Sequence, residues 1–140
     1  MRKALIAGVA YFAVVFTLGF LLGTVRVLVA APRLGELGAV LLELPVMLTA
    51  SWLICGVLMV RLGVDGRPGS RTVMSVTVLI LLLIAEPVGA MLLFGRTPGQ
   101  ILESWRTPVA ILGLASQIAF VLFPLFRRRS APHQPRSPRP

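Results

Sequence analysis

The chain has little with which to perform acid–base, redox or metal chemistry. Its 140 residues include one cysteine, one histidine, one tyrosine and five acidic residues. A lone cysteine, Cys55, cannot close an intramolecular disulfide or form a CxxC pair, and it reads as a small packing residue. The histidine, His133, stands in a proline-rich tail, so the apolar runs hold no histidine–cysteine metal set. No metal and no cofactor is expected. The same scarcity excludes a serine–histidine dyad, and Ser51 reads as a helix-packing hydroxyl. Gly63–Gly69 lacks the Lys-[Ser/Thr] ending of a phosphate-binding loop. With no catalytic set, the chain is not expected to be an enzyme.

Charge is scarce as well, and unevenly placed. Charged residues make up 14% and hydrophobic residues 56%, where soluble domains carry about 25% charge. The charges cluster between four apolar runs, Ala4–Val25, Leu37–Val60, Thr72–Gly95 and Thr107–Phe126. Each can cross a hydrocarbon core of about 30 Å at about 1.5 Å per helical residue. The expected fold is therefore all-α: a polytopic membrane protein with four transmembrane helices in an up-down bundle. Its spans run over about 4–31, 37–61, 72–95 and 107–126, forming one domain over 1–126. Residues 127–140 form a basic, proline-rich tail that cannot build a core and reads as disordered.

A net charge of +9 would suggest nucleic acid in a soluble chain, but its placement points to a bilayer. Ten basic residues (Arg2, Lys3, Arg61, Arg67, Arg71, Arg127, Arg128, Arg129, Arg136 and Arg139) fall on one side of the spans. Four (Arg26, Arg33, Arg96 and Arg106) fall on the other. The positive-inside rule puts both termini in the cytoplasm. Arginine outnumbers lysine thirteen to one, a bias of high-GC bacterial genomes, so the expected location is a bacterial cytoplasmic (inner) membrane. The first run, at 22 residues, exceeds a signal-peptide core of about 7–15 and reads as an uncleaved helix. The Arg127–Arg129 run favours anionic lipid headgroups.

Turn signals divide the spans. Pro32 and Gly35 place a short outer connection at 32–36, making the first two helices an antiparallel hairpin. Asp65-Gly66 and Pro68-Gly69 mark the cytoplasmic loop, with Ser70 the N-cap of the next helix. Thr97-Pro98 and Thr107-Pro108 each read as an N-cap followed by proline at the first helical position. The first opens a short helix over about 98–106, whose Ile101, Leu102 and Trp105 share a face, with Trp105 at the membrane interface.

The most specific feature is polar. Glu43 lies seven residues past Glu36, Glu86 nine before Gly95 and Gln117 nine past Pro108. At helical rise these are depths of roughly 10–13 Å in the outer half of the membrane. Arg26 is shallower but has a long stem. Gly19 and Gly23 form a GxxxG pair on the face of the first span that carries Arg26, and such small residues let helices approach closely. Pro45 and Pro87, beside the two glutamates, each remove an amide hydrogen and are expected to kink their helices.

Arg26, Glu43, Glu86 and Gln117 thus form a candidate intramembrane cluster for a ligand, a proton or a structural lock. In the lock, Arg26 pairs with Glu43 or Glu86, and the other carboxylate is protonated or bonded to Gln117. Length and span count are similar to those of the small multidrug-resistance transporters, but the first span here carries no glutamate and their function is not carried over. The expectation is a small subunit or interaction protein, in a homo-oligomer or larger membrane complex. The alternative is a small oligomeric carrier using Glu43 and Glu86.

Overall fold

The computed structural model describes residues 1–95, 97–104 and 106–127. Among them the fold is entirely helical: α1 (Arg2–Val25), a π turn (Arg26–Ala30), α2 (Ala31–Arg61), α3 (Pro68–Phe94), α4 (Pro98–Ser104) and α5 (Pro108–Phe126). Three helical segments are long and apolar enough to cross a membrane: Arg2–Arg61, Pro68–Gly89 and Pro108–Phe126. The first has 60 residues, about 90 Å of helix if straight, or three times a hydrocarbon core. It is not straight. Gly35, at φ 73° and ψ 165°, leaves the helical region and folds the segment back so that α1 packs against α2. Only glycine takes that conformation without steric cost.

Pro32 does not end the first helix, which continues past it to the fold at Gly35. The π turn explains this. The amide of Ala31 reaches back five residues to the carbonyl of Arg26, and Pro32, with no N–H to place, follows directly. The wider turn accommodates a ring that would otherwise strike the preceding turn.

The other ends obey local rules. Gly63 at φ 59° closes α2: its amide bonds Val60 and that of Val64 bonds Met59, both to carbonyls. This is a Schellman motif, and it carries the usual contact between Val64 and Met59. Val64, though in a loop, is thereby fully buried in the core. α3 begins at Pro68 rather than after Ser70, which is buried in its first turn. Pro68 has the fixed φ suited to a first helical position, which outweighs the capping tendency of Ser70. Thr107 caps α5 by accepting from the Ala110 amide at 3.2 Å. Thr97 and Gln100 cap α4 reciprocally, at 3.4 and 3.0 Å, a capping box. α4 stops at Ser104, short of the expected 106; Trp105 and Arg96, with residues 128–140, lie outside the described residues.

α1 packs against α2 and α3, and α5 packs against α2 and α3. α2 and α3, although joined by residues 62–67, share no comparable contact and stand diagonally across the bundle. The connecting loop crosses the bundle end, with Val64 pointing into the core. The N-terminus lies beside it, Lys3 Nζ standing 3.5 Å from where a Gly63 Cβ would be.

The core occupies this half. Tyr11, Val15, Cys55, Met74, Val78 and Phe120 are buried at its centre, and most other buried residues surround them. Toward the Gly35 end only Ala39 and Val40 are buried among the described residues. In a bilayer such packing rests on dispersion and polar contacts, since lipid tails are as apolar as leucine.

One polar contact ties the core together. Pro124 lies inside α5 and has no N–H, so the Phe120 carbonyl four residues earlier loses its helical partner. The phenol of Tyr11 donates to that carbonyl at 3.1 Å. Tyr11→Phe should therefore cost about 1–2 kcal/mol. In a Pro124→Ala background, where the restored backbone amide can serve the carbonyl, the same change should cost less than half as much. Thermal unfolding of the four proteins in detergent measures this, and equal costs in both backgrounds would refute the capping role.

Candidate functional site

The π turn that admits Pro32 begins at Arg26, whose amide still bonds the Leu22 carbonyl in the register of α1. Arg26 Nε stands 3.3 Å from Glu43 Oε2, with the two side chains 30% and 18% exposed. Glu43 Oε2 is buried and receives no well-aligned hydrogen bond, so the contact is an ion pair. It bridges the two arms of the first segment across the fold at Gly35. Residues on both sides of the reversal are needed to make it, which suits a lock on the hairpin.

Glu86 and Gln117 meet on the other side of the bundle. Gln117 Nε2, on α5, donates to Glu86 Oε1, on α3. Both residues are half-buried. Among the described residues no cation lies within ion-pair distance of Glu86. The four polar side chains therefore form two separate pairs: no hydrogen bond or ion pair joins one to the other among the described residues. Chemically the pairs differ. Glu43 has a countercharge, and Glu86 has only an amide.

α2 and α3 run through Pro45 and Pro87 without breaking, and Gly35 is the non-helical residue within α2. The glycines of the GxxxG pair divide. A Cβ on Gly19 would stand 3.1 Å from Met47 Cε, a close approach to α2, whereas a Cβ on Gly23 would meet nothing within 4 Å. A close approach of α1 to α3 is at Gly8, where a Cβ would stand 2.9 Å from Thr77 Cβ and 3.0 Å from the Met74 carbonyl oxygen. Gly8 lies where α1 crosses α3 in the buried half. Gly23 lies near the open Gly35 end.

Arg127, the first residue of the basic run, makes a contact within the chain. Its guanidinium folds back onto α2, donating to the Trp52 carbonyl and lying 4.9 Å from the centre of the Trp52 ring. Phe123 meets the same ring edge-on at 5.2 Å. Gly56 makes room, since a Cβ there would run into the guanidinium. The indole face and carbonyl offer a cation two kinds of contact that exposed headgroups would have to outbid. Arg128 and Arg129 lie outside the described residues.

Sequence reasoning missed three members of this framework. Tyr11, the chain's one tyrosine, and Pro124 carried a signal, because a proline inside an apolar run predicts a vacated carbonyl. Gly56 carried none, because its role depends on where Arg127 returns. No known protein family, curated protein or solved structure matches the chain.

Proposed function

We propose that the chain is a small subunit or interaction protein of a larger membrane assembly. It crosses a bacterial inner membrane four times, as an up-down bundle with both termini in the cytoplasm. The observation that carries this reading is the Arg26–Glu43 ion pair: the strongest charges of the intramembrane layer are spent on holding α1 to α2. Such a pair sets a hairpin rather than moving a solute. The apolar surface agrees, with large side chains such as Leu41, Leu53, Leu83 and Leu92 exposed along the spans. Four arms of this size bury little, and association would cover more of them.

The four-span topology draws on the arginine distribution and on the neighbourhood of Met1 and Lys3 with Gly69 and Gly63. Reporter fusions after Gly66 and Pro140 should report cytoplasm, and those after Gly35 and Gln100 the opposite side. Extraction from native membranes into lipid nanodiscs, followed by mass photometry, should yield particles holding more than one polypeptide. Particles holding a single 15.1 kDa chain would refute the subunit reading.

The carrier reading keeps one supporting observation. Glu86, unlike Glu43, has no countercharge among the described residues. A carrier would then work through Glu86 alone and not through the pair of glutamates.

A further inference from the structure

Unmet chemistry concentrates at the seam between α3 and α5, beyond the buried core toward the Gly35 end. Glu86 is half-buried there, and a carboxylate has acceptor capacity on both oxygens. Gln117 serves Oε1, and Oε2 takes no hydrogen bond from the described residues. Gly89 follows Glu86 by three positions on α3, and Gly113 precedes Gln117 by four on α5. With Glu86 against Gln117, both glycines fall about one turn beyond the pair on the same side of it. A Cβ on either would meet nothing within 4 Å among the described residues. Val88 and Leu92 on the same stretch of α3, and Leu114 and Ile118 on that of α5, are exposed.

We propose that this seam docks a transmembrane helix of a partner protein that carries one lysine or arginine, its basic group meeting the Glu86 carboxyl. The proposal rests on the subunit reading and names the surface through which it would act. Charge complementarity selects the occupant. Glu43 obtains its cation from Arg26 within the chain, and Glu86 has none among the described residues, so a basic group on a partner would meet an uncompensated carboxyl. The apolar flanks require an occupant that is apolar except at that one group, as a membrane helix is. The empty space over Gly89 and Gly113 lets a helix backbone approach, as small residues do at membrane helix contacts. A small hydrated cation fits less well, because it would shed its water against aliphatic walls for one carboxyl.

The full chain in phosphatidylcholine vesicles tests this with a dansyl-labelled Leu-Ala transmembrane peptide carrying one central lysine. Energy transfer from the chain's two tryptophans reports binding. The lysine peptide should half-saturate at about tenfold lower peptide-to-lipid ratio than its all-apolar counterpart. Glu86→Gln should abolish that preference, and Gly113→Leu should weaken binding of the lysine peptide with Glu86 intact. Thermal unfolding confirms that each variant is folded, and either one alone suffices for the test.

Equal binding of the two peptides, or a preference that survives Glu86→Gln, overturns the docking site. Loss of the preference on adding millimolar butylammonium overturns it in favour of a small ammonium ligand. If the peptide shows no preference while native particles still hold several polypeptides, this site fails and the subunit reading stands. Single-chain native particles would remove the subunit reading instead.

Discussion

Arg26→Leu should cost the protein about 2–4 kcal/mol, and adding Glu43→Gln should return more than half of it. The loss is larger than the pair's own net contribution. Removing the guanidinium strands the Glu43 carboxylate, whose Oε2 is buried with no well-aligned hydrogen bond to replace the lost charge. A glutamine at 43 has the same shape and no charge, so the double variant discards the penalty with the pair. The range is set below that for fully enclosed pairs because both side chains keep some exposure. Glu86→Gln in the Arg26→Leu background should return nothing, since Glu86 faces Gln117 rather than Arg26. Thermal midpoints of the purified single and double variants in one detergent measure all three effects. Rescue by Glu86→Gln in place of Glu43→Gln would mean that Arg26 serves the other carboxylate. Rescue by neither would remove the lock.

The pairing itself was only half legible beforehand. Counting residues from the span ends places Arg26, Glu43, Glu86 and Gln117 in one layer, because helical rise is constant whatever the packing. Which group faces which depends on the rotation of each helix, and there hydropathy is silent: an apolar helix in lipid has no wet side to orient it. The π turn at Arg26–Ala30 shifts the residues after it relative to α1, and Pro32 suggests a helix end rather than a widened turn. Gly35 was visible as a turn residue. Its full role, the whole reversal in one positive-φ residue, was not.

The long helices were legible for the simplest reason, that few structures other than a helix satisfy a backbone in lipid. Their neighbours were not. A short loop between α2 and α3 suggests adjacent helices, yet these two stand diagonally. What permits it is Val64, which the Schellman turn at Gly63 directs into the core while the chain crosses the bundle end. A single apolar residue between Gly63 and Asp65 gives little warning of that. α4 shows the reverse case: the Thr97–Gln100 spacing announces its capping box without any tertiary information.

Gly8→Leu should destabilise the bundle by about 3 kcal/mol or more, while Gly23→Leu should change its stability by less than about 0.5 kcal/mol. By sequence the two glycines are alike, on one face of one helix. By structure they are opposites. A Cβ at position 8 would stand 2.9 Å from Thr77 Cβ and 3.0 Å from the Met74 carbonyl oxygen. Thr77 has little freedom, because its hydroxyl is held by the Val73 carbonyl at 2.7 Å and its side chain is β-branched. The Met74 carbonyl is helix backbone and cannot rotate away. Any side chain at 8 must therefore push α1 and α3 apart, and the separation opens the packing around Met74, Val78 and Tyr11, all fully buried. Gly8→Ala, with one carbon to place, should cost about 1–2 kcal/mol and so grade the effect. Gly19→Ala should fall below it, since its obstacle is the flexible end of Met47. Thermal unfolding of the four variants in one detergent gives the order. If Gly23→Leu proves as damaging as Gly8→Leu, the GxxxG face closes on a neighbour along its whole length, and the open half of the bundle does not exist.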